Sequence, residues 1–507
     1  MKTTVVLFSK NRLALAGVCL SALMFGLEIS SVPVILPTLE KVLHGNFKEM
    51  QWIMNAYTIA CTTVLMATGT LADRYGRKLI FIISVVLFGI ASLLCGIAHN
   101  VSIMIAARFM QGMSGGAMLV CQIAILSHQF REGKARAKAF GLWGIVFGTG
   151  LGFGPLIGGS IVTVASWQWV FLIHVFIAII TLLLIVWGVQ EVKTIYNNKL
   201  DVVGMLMLTL TVLFLTYFIT QGSDTGFTQP VSLISLFSSV GCFVIFIITE
   251  KKVAYPMFDF SVFRIRNFSG AILGSVGMNI SFWPFMIYLP MYFQGALGYS
   301  SSMTGLSLLA YSLPTLLFPP LGERLSLRFQ PKIVIPLGLF TIGLGFILMW
   351  WGSRMPQASW LTMLPGLLVA GIGLGLTNTP VTNTSTASVH QSKAGMASGI
   401  DISARMITLA INIALMGFML VEGISSYLRP LITQSHNGLS LRELAEKIAG
   451  EGSKGVSQLH VLKPAVIHAA LTYGFGMVML YGCIGVWVLS IASFITFRVR
   501  KTSYLVE

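Results

Sequence analysis

The chain has 507 residues, of which 55% are hydrophobic and only 10% are charged, with a mean hydropathy of +0.83. Soluble proteins carry about 25% charged residues, so this composition indicates a polytopic membrane protein. The net charge is +16, and the Lys and Arg residues cluster in short tracts between apolar segments, which argues against a nucleic-acid-binding domain. The six cysteines lie in apolar stretches without metal-ligand spacing, so neither a disulfide framework nor a metal site is expected.

About fourteen segments are long and apolar enough to cross a bilayer, taking about 20 residues per span. The predicted spans are 13–39, 50–72, 79–97, 102–128, 138–162, 169–190, 202–220, 230–249, 268–294, 303–322, 333–352, 361–385, 395–421 and 468–496. The first is too long for a secretory signal and has no A-x-A cleavage pattern. The sequence therefore predicts an all-α protein.

The positive charges between the spans predict how the chain is oriented. With the N-terminus inside, 23 Lys and Arg residues fall on the cytoplasmic side and eight on the other, so both termini are predicted to be cytoplasmic. The longest outer loop, 422–463, contains Ser440 followed by Glu443, which is a capping box. We expect a short amphipathic helix there, which either gates access or only covers the helix ends.

Glu28 lies in the middle of the first span, in "SALMFGLEISSVPVILPTL". A charge at the centre of a spanning helix costs roughly 2.5–3.5 kcal/mol on insertion scales, so such a residue indicates a function. Arg108, in the fourth span, is a second costly charge, which either snorkels outward or faces a central cavity and senses Glu28. Burial favours a neutral carboxyl group and a nearby cation favours the carboxylate, so Glu28 is a candidate for proton exchange.

A glycine-rich, charged loop follows the second span, "GTLADRYGRK". It resembles the signature loop of the major facilitator superfamily, whose charge relay stabilises the outward-facing state. The residues that match are Gly69, Asp73, Arg74, Gly76, Arg77 and Lys78. By itself the stretch is also compatible with a basic turn that orients the helices. Gly76 permits a tight turn.

Three further stretches extend the resemblance to the fourteen-helix drug:proton antiporter branch of that family. "ARFMQGMSGGAM" contains Arg108, and "LEISSVPVILPTL" is similar to the first-helix motif, with Glu28 where that motif usually has Asp. "GTGLGFGPLIGG" in the fifth span is similar to the antiporter motif, at Gly150, Gly154, Pro155, Gly158 and Gly159. Glycines at four-residue spacing allow close helix packing, and Pro155 loosens the span.

The C-terminal half contributes weaker candidates. Asp401 and Arg405 are four residues apart, which is either a local ion pair or a second titratable site. In the ninth span, aromatic and thioether side chains either pack the core or form an adaptable binding surface: Trp283, Phe285, Met286 and Tyr288. "GERLSLRFQPK" repeats the signature loop imperfectly, with Leu327 in the usual acidic position and Gln330 in the usual glycine position.

The resemblance implies a major facilitator fold with an N-terminal six-helix bundle (1–192), two additional linker helices (193–262) and a C-terminal six-helix bundle (263–507). It implies a multi-pass protein of the bacterial inner membrane that exports small hydrophobic, cationic compounds in exchange for protons. A dedicated exporter of one metabolite or siderophore is the alternative, and a membrane-embedded enzyme or sensor is disfavoured. The eight histidines are scattered mostly at loops and span ends and offer no catalytic set.

The expected partners are a small-molecule substrate, protons and the lipid bilayer, and the resemblance is compatible with a periplasmic adaptor and an outer-membrane channel. No cofactor is expected, because the chain has neither a nucleotide fingerprint nor a phosphate-binding loop.

Overall fold

The computed structural model describes residues 2–130, 133–191, 201–253, 260–389, 394–431, 440–457 and 462–497, and the regular structure in these ranges is helical. The α-helices are α1 Lys2–Val42, α2 Phe47–Tyr75, α3 Arg77–Gly96, α4 Val101–Gln129, α5 Gly133–Val164, α6 Trp169–Gly188, α7 Val202–Thr225, α8 Pro230–Lys252, α9 Arg266–Ile280, α10 Phe282–Met291, α11 Ser301–Leu317, α12 Pro319–Phe329, α13 Pro331–Ser353, α14 Trp360–Ala387, α15 Ala394–Leu428, α16 Leu441–Ser457 and α17 Pro464–Phe497. A 3-10 turn, Phe260–Arg264, precedes α9, and a π-helical turn, Tyr292–Ala296, follows α10.

Each of the fourteen predicted segments falls on one of these helices or on a group of consecutive ones, so the all-α prediction is confirmed. Among the described residues, twelve helices are long and apolar enough to cross a membrane, and a thirteenth span is counted when α11 and α12, which meet at a 43° bend, are taken together. α2 is not among them. Fourteen spans and cytoplasmic termini therefore stay predictions.

The helices pack as two groups. α1 lies against α5 and α6, α2 against α4, and α3 against α4 and α6. In the second group α13 lies against α14 and α17, and α9 against α14, α15 and α17. The groups meet where α5 contacts α11 and where α2 contacts α15, while α7 and α8 pair with each other and α7 touches α2 and α15. This arrangement brings α1, α2, α3, α4 and α6 around one polar site.

The ninth predicted span is broken rather than continuous. α9 ends at Ile280, and Ser281 has φ −125° and ψ −75°, after which α10 begins. Pro284 accounts for the position of the break, because a proline cannot donate to the carbonyl four residues earlier, here that of Ile280, and its ring clashes with it. After the break, α10 contacts α1 as well as α9, α11, α15 and α17.

The end of the molecule where α1 ends and α2 begins, which is the predicted outer end, is closed by contacts between the two groups. Gln51 donates to the Tyr288 hydroxyl over 3.1 Å, and Gln294 donates to the carbonyl of Val34 over 2.8 Å. These bonds join α1 and α2 to α10 and the π-helical turn. The two groups are therefore in direct contact at this end.

α16 lies over this closed end, and its start is capped as the sequence predicts. The backbone of Ser440 donates to Glu443 over 2.7 Å, and the backbone of Glu443 donates to the Ser440 hydroxyl over 3.2 Å. Hydrogen bonds from the backbone and the side chain of Ser440 to the Glu443 carboxylate lower the pKa of that carboxyl. Leu444 and Ile448 are buried, and α16 contacts α1 and α2 as well as α15 and α17. It therefore bridges both helix groups.

The internal repeat is visible in the backbone at the two loops that resemble each other. Gly76, between α2 and α3, has φ +109°, and Gln330, between α12 and α13, has φ +71° and ψ +148°. Only glycine adopts such conformations without strain, and a residue with a side chain carries a cost of roughly 1–3 kcal/mol. The second loop thus keeps the turn of the first but not the residue that suits it.

Replacing Gln330 with glycine should relieve this strain. We expect Gln330→Gly to stabilise the protein by about 1 kcal/mol, because the relieved strain exceeds the cost of a more flexible unfolded chain. The midpoint of thermal unfolding in detergent measures the change.

Gln229 supplies a matched control, because it also precedes a proline at a helix start but has φ −69°. Gln229→Gly should leave the midpoint unchanged or lower it. Equal effects of the two substitutions would contradict the assignment of strain to Gln330.

Candidate functional site

Glu28 and Arg108, the two costly charges of the N-terminal half, form one buried ion pair. Glu28 lies on α1 and Arg108 on α4, and both side chains are 0% exposed. The Arg108 Nη1 donates to Glu28 Oε1. Arg108 therefore does not snorkel outward, because its charge is compensated inside the helix group.

Arg108 has further contacts that hold its guanidinium in place. Its Nε donates to the carbonyl of Ile53 over 3.3 Å and its Nη1 donates to Gln111 Oε1 over 2.7 Å. The guanidinium carbon lies 4.3 Å from the centroid of the Tyr57 ring, a cation–π distance. Gln111 in turn donates to the Ser92 hydroxyl over 2.9 Å. α2, α3 and α4 thus share in stabilising one buried cation.

His174 completes this cluster from α6. Its Nδ1 lies 3.5 Å from Glu28 Oε2, and its side chain is 1% exposed. The imidazole meets the Phe88 ring edge-on, with 5.8 Å between ring centroids. Sequence reasoning missed this residue because it treated the histidines as a scattered set. The available signal was a lone ionisable side chain in the apolar run "WVFLIHVFIAII" of α6.

Asp401 and Arg405 form the predicted pair within α15, with 3.1 Å between Arg405 Nη2 and Asp401 Oδ2. The pair is also tied to neighbouring helices. Ser275 on α9 donates to Asp401, and Arg405 donates to Asn378 over 2.5 Å and to Thr382 over 2.9 Å, both on α14. This second polar cluster therefore joins three helices of the C-terminal half.

The glycines of α5 face two different helices. A methyl group at Gly158 would lie 2.8 Å from Ser31 Cβ on α1, and one at Gly159 would lie 2.3 Å from the carbonyl oxygen of Ser301 on α11. Gly150 and Gly154 also face α1, and the Pro155 carbonyl abuts Gly305 of α11. α5 thus packs closely against both helix groups.

The signature loop is organised by the segment that follows α6. The backbone amides of Lys78 and Leu79 point at the Glu191 carboxylate, at 3.4 and 3.2 Å, which neutralises the start of α3. Lys78 Nζ donates to the carbonyl of Val186 over 2.6 Å. Arg77 Nη1 donates to the carbonyl of Ala124 over 3.2 Å.

The predicted residues Gly69, Asp73 and Arg74 lie on α2, but their surroundings are outside the described part of the structure. The loop therefore connects α3 with α4 and α6 through the residues that are described.

The sequence profile of the Major Facilitator Superfamily matches residues 18–412. The chain belongs to the Major Facilitator Superfamily. It is 29% identical over 419 residues to the multidrug resistance protein Stp of Mycobacterium tuberculosis, covering 82% of this chain and 77% of Stp. It is 29% identical over 415 residues to the quinolone resistance protein NorB of Staphylococcus aureus, covering 81% of this chain and 88% of NorB.

Solved structures share the fold of this major facilitator. A bacterial homologue of the human lysosomal transporter Spinster, in an inward-facing and unoccupied conformation, superposes with a TM-score of 0.66 at 15% identity, covering 97% of this chain and 99% of that one. The human organic anion transporter MFSD10 superposes with a TM-score of 0.58 at 13% identity, covering 96% and 99%.

The aromatic residues predicted as a pocket lie mostly inside the packed core of this conformation. Phe285 is fully buried, with its ring centroid 5.0 Å from that of Phe346, and Met286 is buried beside it. Trp283 is only partly buried. Tyr288 takes part in the contacts that close the predicted outer end of this major facilitator. Of the four, Trp283 has the most accessible side chain.

The tight contact of α5 with α1 should not tolerate a methyl group. Gly158→Ala places a Cβ against the backbone of Ser31, so we expect it to destabilise the protein by about 1–3 kcal/mol, a typical cost of overpacking. Thermal unfolding in detergent tests this.

Gly144→Ala on the same helix is the control, because nothing lies within 4 Å of its Cβ position. Alanine is favoured over glycine in a helix by about 0.5–1 kcal/mol, so this variant should be at least as stable as the unmodified protein. A Gly158→Ala variant as stable as Gly144→Ala would refute the close contact.

Proposed function

We propose that this major facilitator exports small hydrophobic, cationic compounds across the bacterial inner membrane in exchange for protons. The observation that carries the proposal is the Glu28–Arg108 ion pair, fully buried among α1, α2, α3, α4 and α6. A buried pair of this kind is strongly dependent on the charge of both partners. Its stability therefore changes when one partner takes up a proton.

Protonation of Glu28 supplies the switch. With Glu28 ionised, the pair is neutral as a whole and holds α1 against α4. A proton on Glu28 leaves the charge of Arg108 without its partner in an environment where an uncompensated charge is costly. Rearrangement of the helix group then lowers the free energy. Substrate binding from the inside competes with protonation from the outside.

The packing of α5 offers a route from Glu28 to the interface between the helix groups. α1 carries Glu28 and contacts the Gly154–Gly158 face of α5, whose Gly159 touches α11. A shift of α1 is therefore passed by close backbone contacts to the opposite helix group. This supports coupling between proton binding and alternating access.

The relatives support the class of substrate. Stp is named for multidrug resistance and NorB for quinolone resistance, and the match covers most of each protein. On this basis we propose export of drug-like compounds rather than of one metabolite. The second polar cluster, at Asp401 and Arg405, is proposed as a site in the C-terminal half that interacts with the substrate.

Removal of the carboxylate should uncouple transport from the proton gradient. In proteoliposomes with an acidic interior, the unmodified protein should accumulate ethidium, a hydrophobic aromatic cation, and Glu28→Gln should lose this uphill uptake. Glu28→Asp should retain part of it, because the carboxylate remains although it is one methylene shorter. Loss of the charged partner should also destabilise the protein, by about 3–5 kcal/mol if Arg108 stays charged and buried.

Ethidium counterflow without a pH gradient shows whether Glu28→Gln still folds and carries substrate. Glu422→Gln is the control, since Glu422 lies 3.9 Å from its arginine partners at a more exposed position and such pairs contribute little. Unchanged uphill uptake by Glu28→Gln would contradict proton exchange at Glu28. Uptake of anionic metabolites in place of ethidium would instead favour a dedicated exporter.

A further inference from the structure

The Glu28 carboxylate has two partners, one on each oxygen. Oε1 accepts from Arg108, whose charge is permanent, whereas Oε2 faces His174 Nδ1 at 3.5 Å. Within the described part of the structure, Oε2 and both ring nitrogens of His174 have no hydrogen-bond partner. Buried polar atoms are almost always hydrogen-bonded, so the approach of these two unpaired groups needs an explanation.

We propose that His174 shares the exchanged proton with Glu28, so that the coupling site is an imidazole–carboxylate pair rather than a single carboxyl group. The inference rests on the proposed function, in which Glu28 binds and releases a proton. It adds a second proton-binding residue on a third helix, α6, beside Glu28 on α1 and Arg108 on α4.

The chemistry of imidazole suits both states of Glu28. When Glu28 is ionised, the tautomer with a proton on Nδ1 donates to Oε2. When Glu28 is protonated, its O–H donates to Nδ1 and the ring proton resides on Nε2. A proton that passes from Nδ1 of the imidazolium to Oε2 breaks one N–H bond and forms one O–H bond, and the electron pair stays on nitrogen. His174 can therefore form a hydrogen bond with both the ionised and the protonated Glu28. Arg108 can only donate, so it cannot accept a hydrogen bond from the protonated carboxyl group.

The other ionisable groups near the pair are few, and each has its own contacts. On α4, Arg108 is bound to Glu28 Oε1; on α2, the Tyr57 ring lies under Arg108; on α3, the Cys95 thiol lies 3.7 Å from Gln111 Oε1. The described side chains of α5, which also touches α6, include no ionisable group.

On α1, Lys10 and Arg12 lie toward the opposite end of α6, near Gly188, and Lys78 binds Val186 there. Among these groups His174 is the one that faces Oε2.

Apolar side chains separate the cluster from the outer end. Trp167, just before α6, and Val170 and Phe171 at its start are buried in one apolar cluster with Leu36 and Ala98. His174 is the sixth residue of α6 and follows this layer directly. The pair is consequently shielded from the predicted outer side in this conformation. A proton bound by the pair is therefore retained until the helices rearrange.

Infrared difference spectroscopy of the purified full-length protein over a pH series tests the proposal without any substrate. The carboxyl band that is lost in Glu28→Gln identifies Glu28, and the imidazole band that is lost in His174→Asn identifies His174. Two ionisable groups that interact by more than about one pK unit titrate as a pair, so each band should show both steps of the pair. In His174→Asn and His174→Gln the Glu28 band should titrate in a single step.

The two variants differ in what they keep. The amide of Asn reaches the position of Nδ1 and preserves a hydrogen bond to Glu28, whereas the amide of Gln reaches the position of Nε2, so at least one should fold with near-native thermal stability. His468→Asn is the control, because His468 is exposed on α17 and should leave the Glu28 band unchanged.

The outcomes separate this proposal from the proposed function. A Glu28 band that titrates identically with and without His174 overturns the shared proton and leaves proton exchange at Glu28 intact. A Glu28 band that does not titrate at all contradicts both. A pair that titrates as expected in a protein that shows no gradient-driven transport contradicts the proposed function alone.

Discussion

The cost of an isolated charge in an apolar surrounding is the constraint on which the N-terminal half depends. Glu28 and Arg108 each place a charge within an apolar helix, and each compensates the charge of the other. Their pairing fixes α1 against α4, and the hydrogen bonds of Arg108 extend this to α2 and α3. The charges therefore determine which helix faces meet, although they contribute little net stability themselves.

The two helix groups differ in their polar chemistry. In the N-terminal half the ion pair joins two helices, is fully buried and has an ionisable histidine beside it. In the C-terminal half Asp401 and Arg405 are one turn apart on the same helix, so their pairing does not depend on how helices are placed. Rearrangement of helices can break the first pair far more readily than the second. This asymmetry supports the proposal that proton exchange takes place in the N-terminal half.

Hydropathy and charge were sufficient to predict the helices, because each property is local in sequence. The break at Ser281 was only indirectly visible, since Pro284 acts on a carbonyl four residues earlier. The cost of Glu28 and Arg108 indicated both as candidate site residues, but the sequence left open whether Arg108 snorkels outward or interacts with Glu28, 80 residues away. His174 escaped notice because a neutral imidazole is cheap to bury, and only its distance from Glu28 distinguishes it from a packing residue.

In the proposed mechanism, close backbone contact between helices lets proton exchange at Glu28 affect the whole molecule. Side chains at a helix interface absorb small movements by changing rotamer. At glycines the two backbones are in direct contact, and no side chain can change rotamer to absorb a movement. α5 meets α1 through Gly154 and Gly158 and meets α11 through Gly159, so the three helices move as a connected unit or slide along these smooth faces. In either case, the proposed mechanism predicts that a displacement of α1, once Glu28 no longer pairs with Arg108, reaches the boundary between the helix groups. The glycine motif therefore needs no charge of its own to take part in coupling.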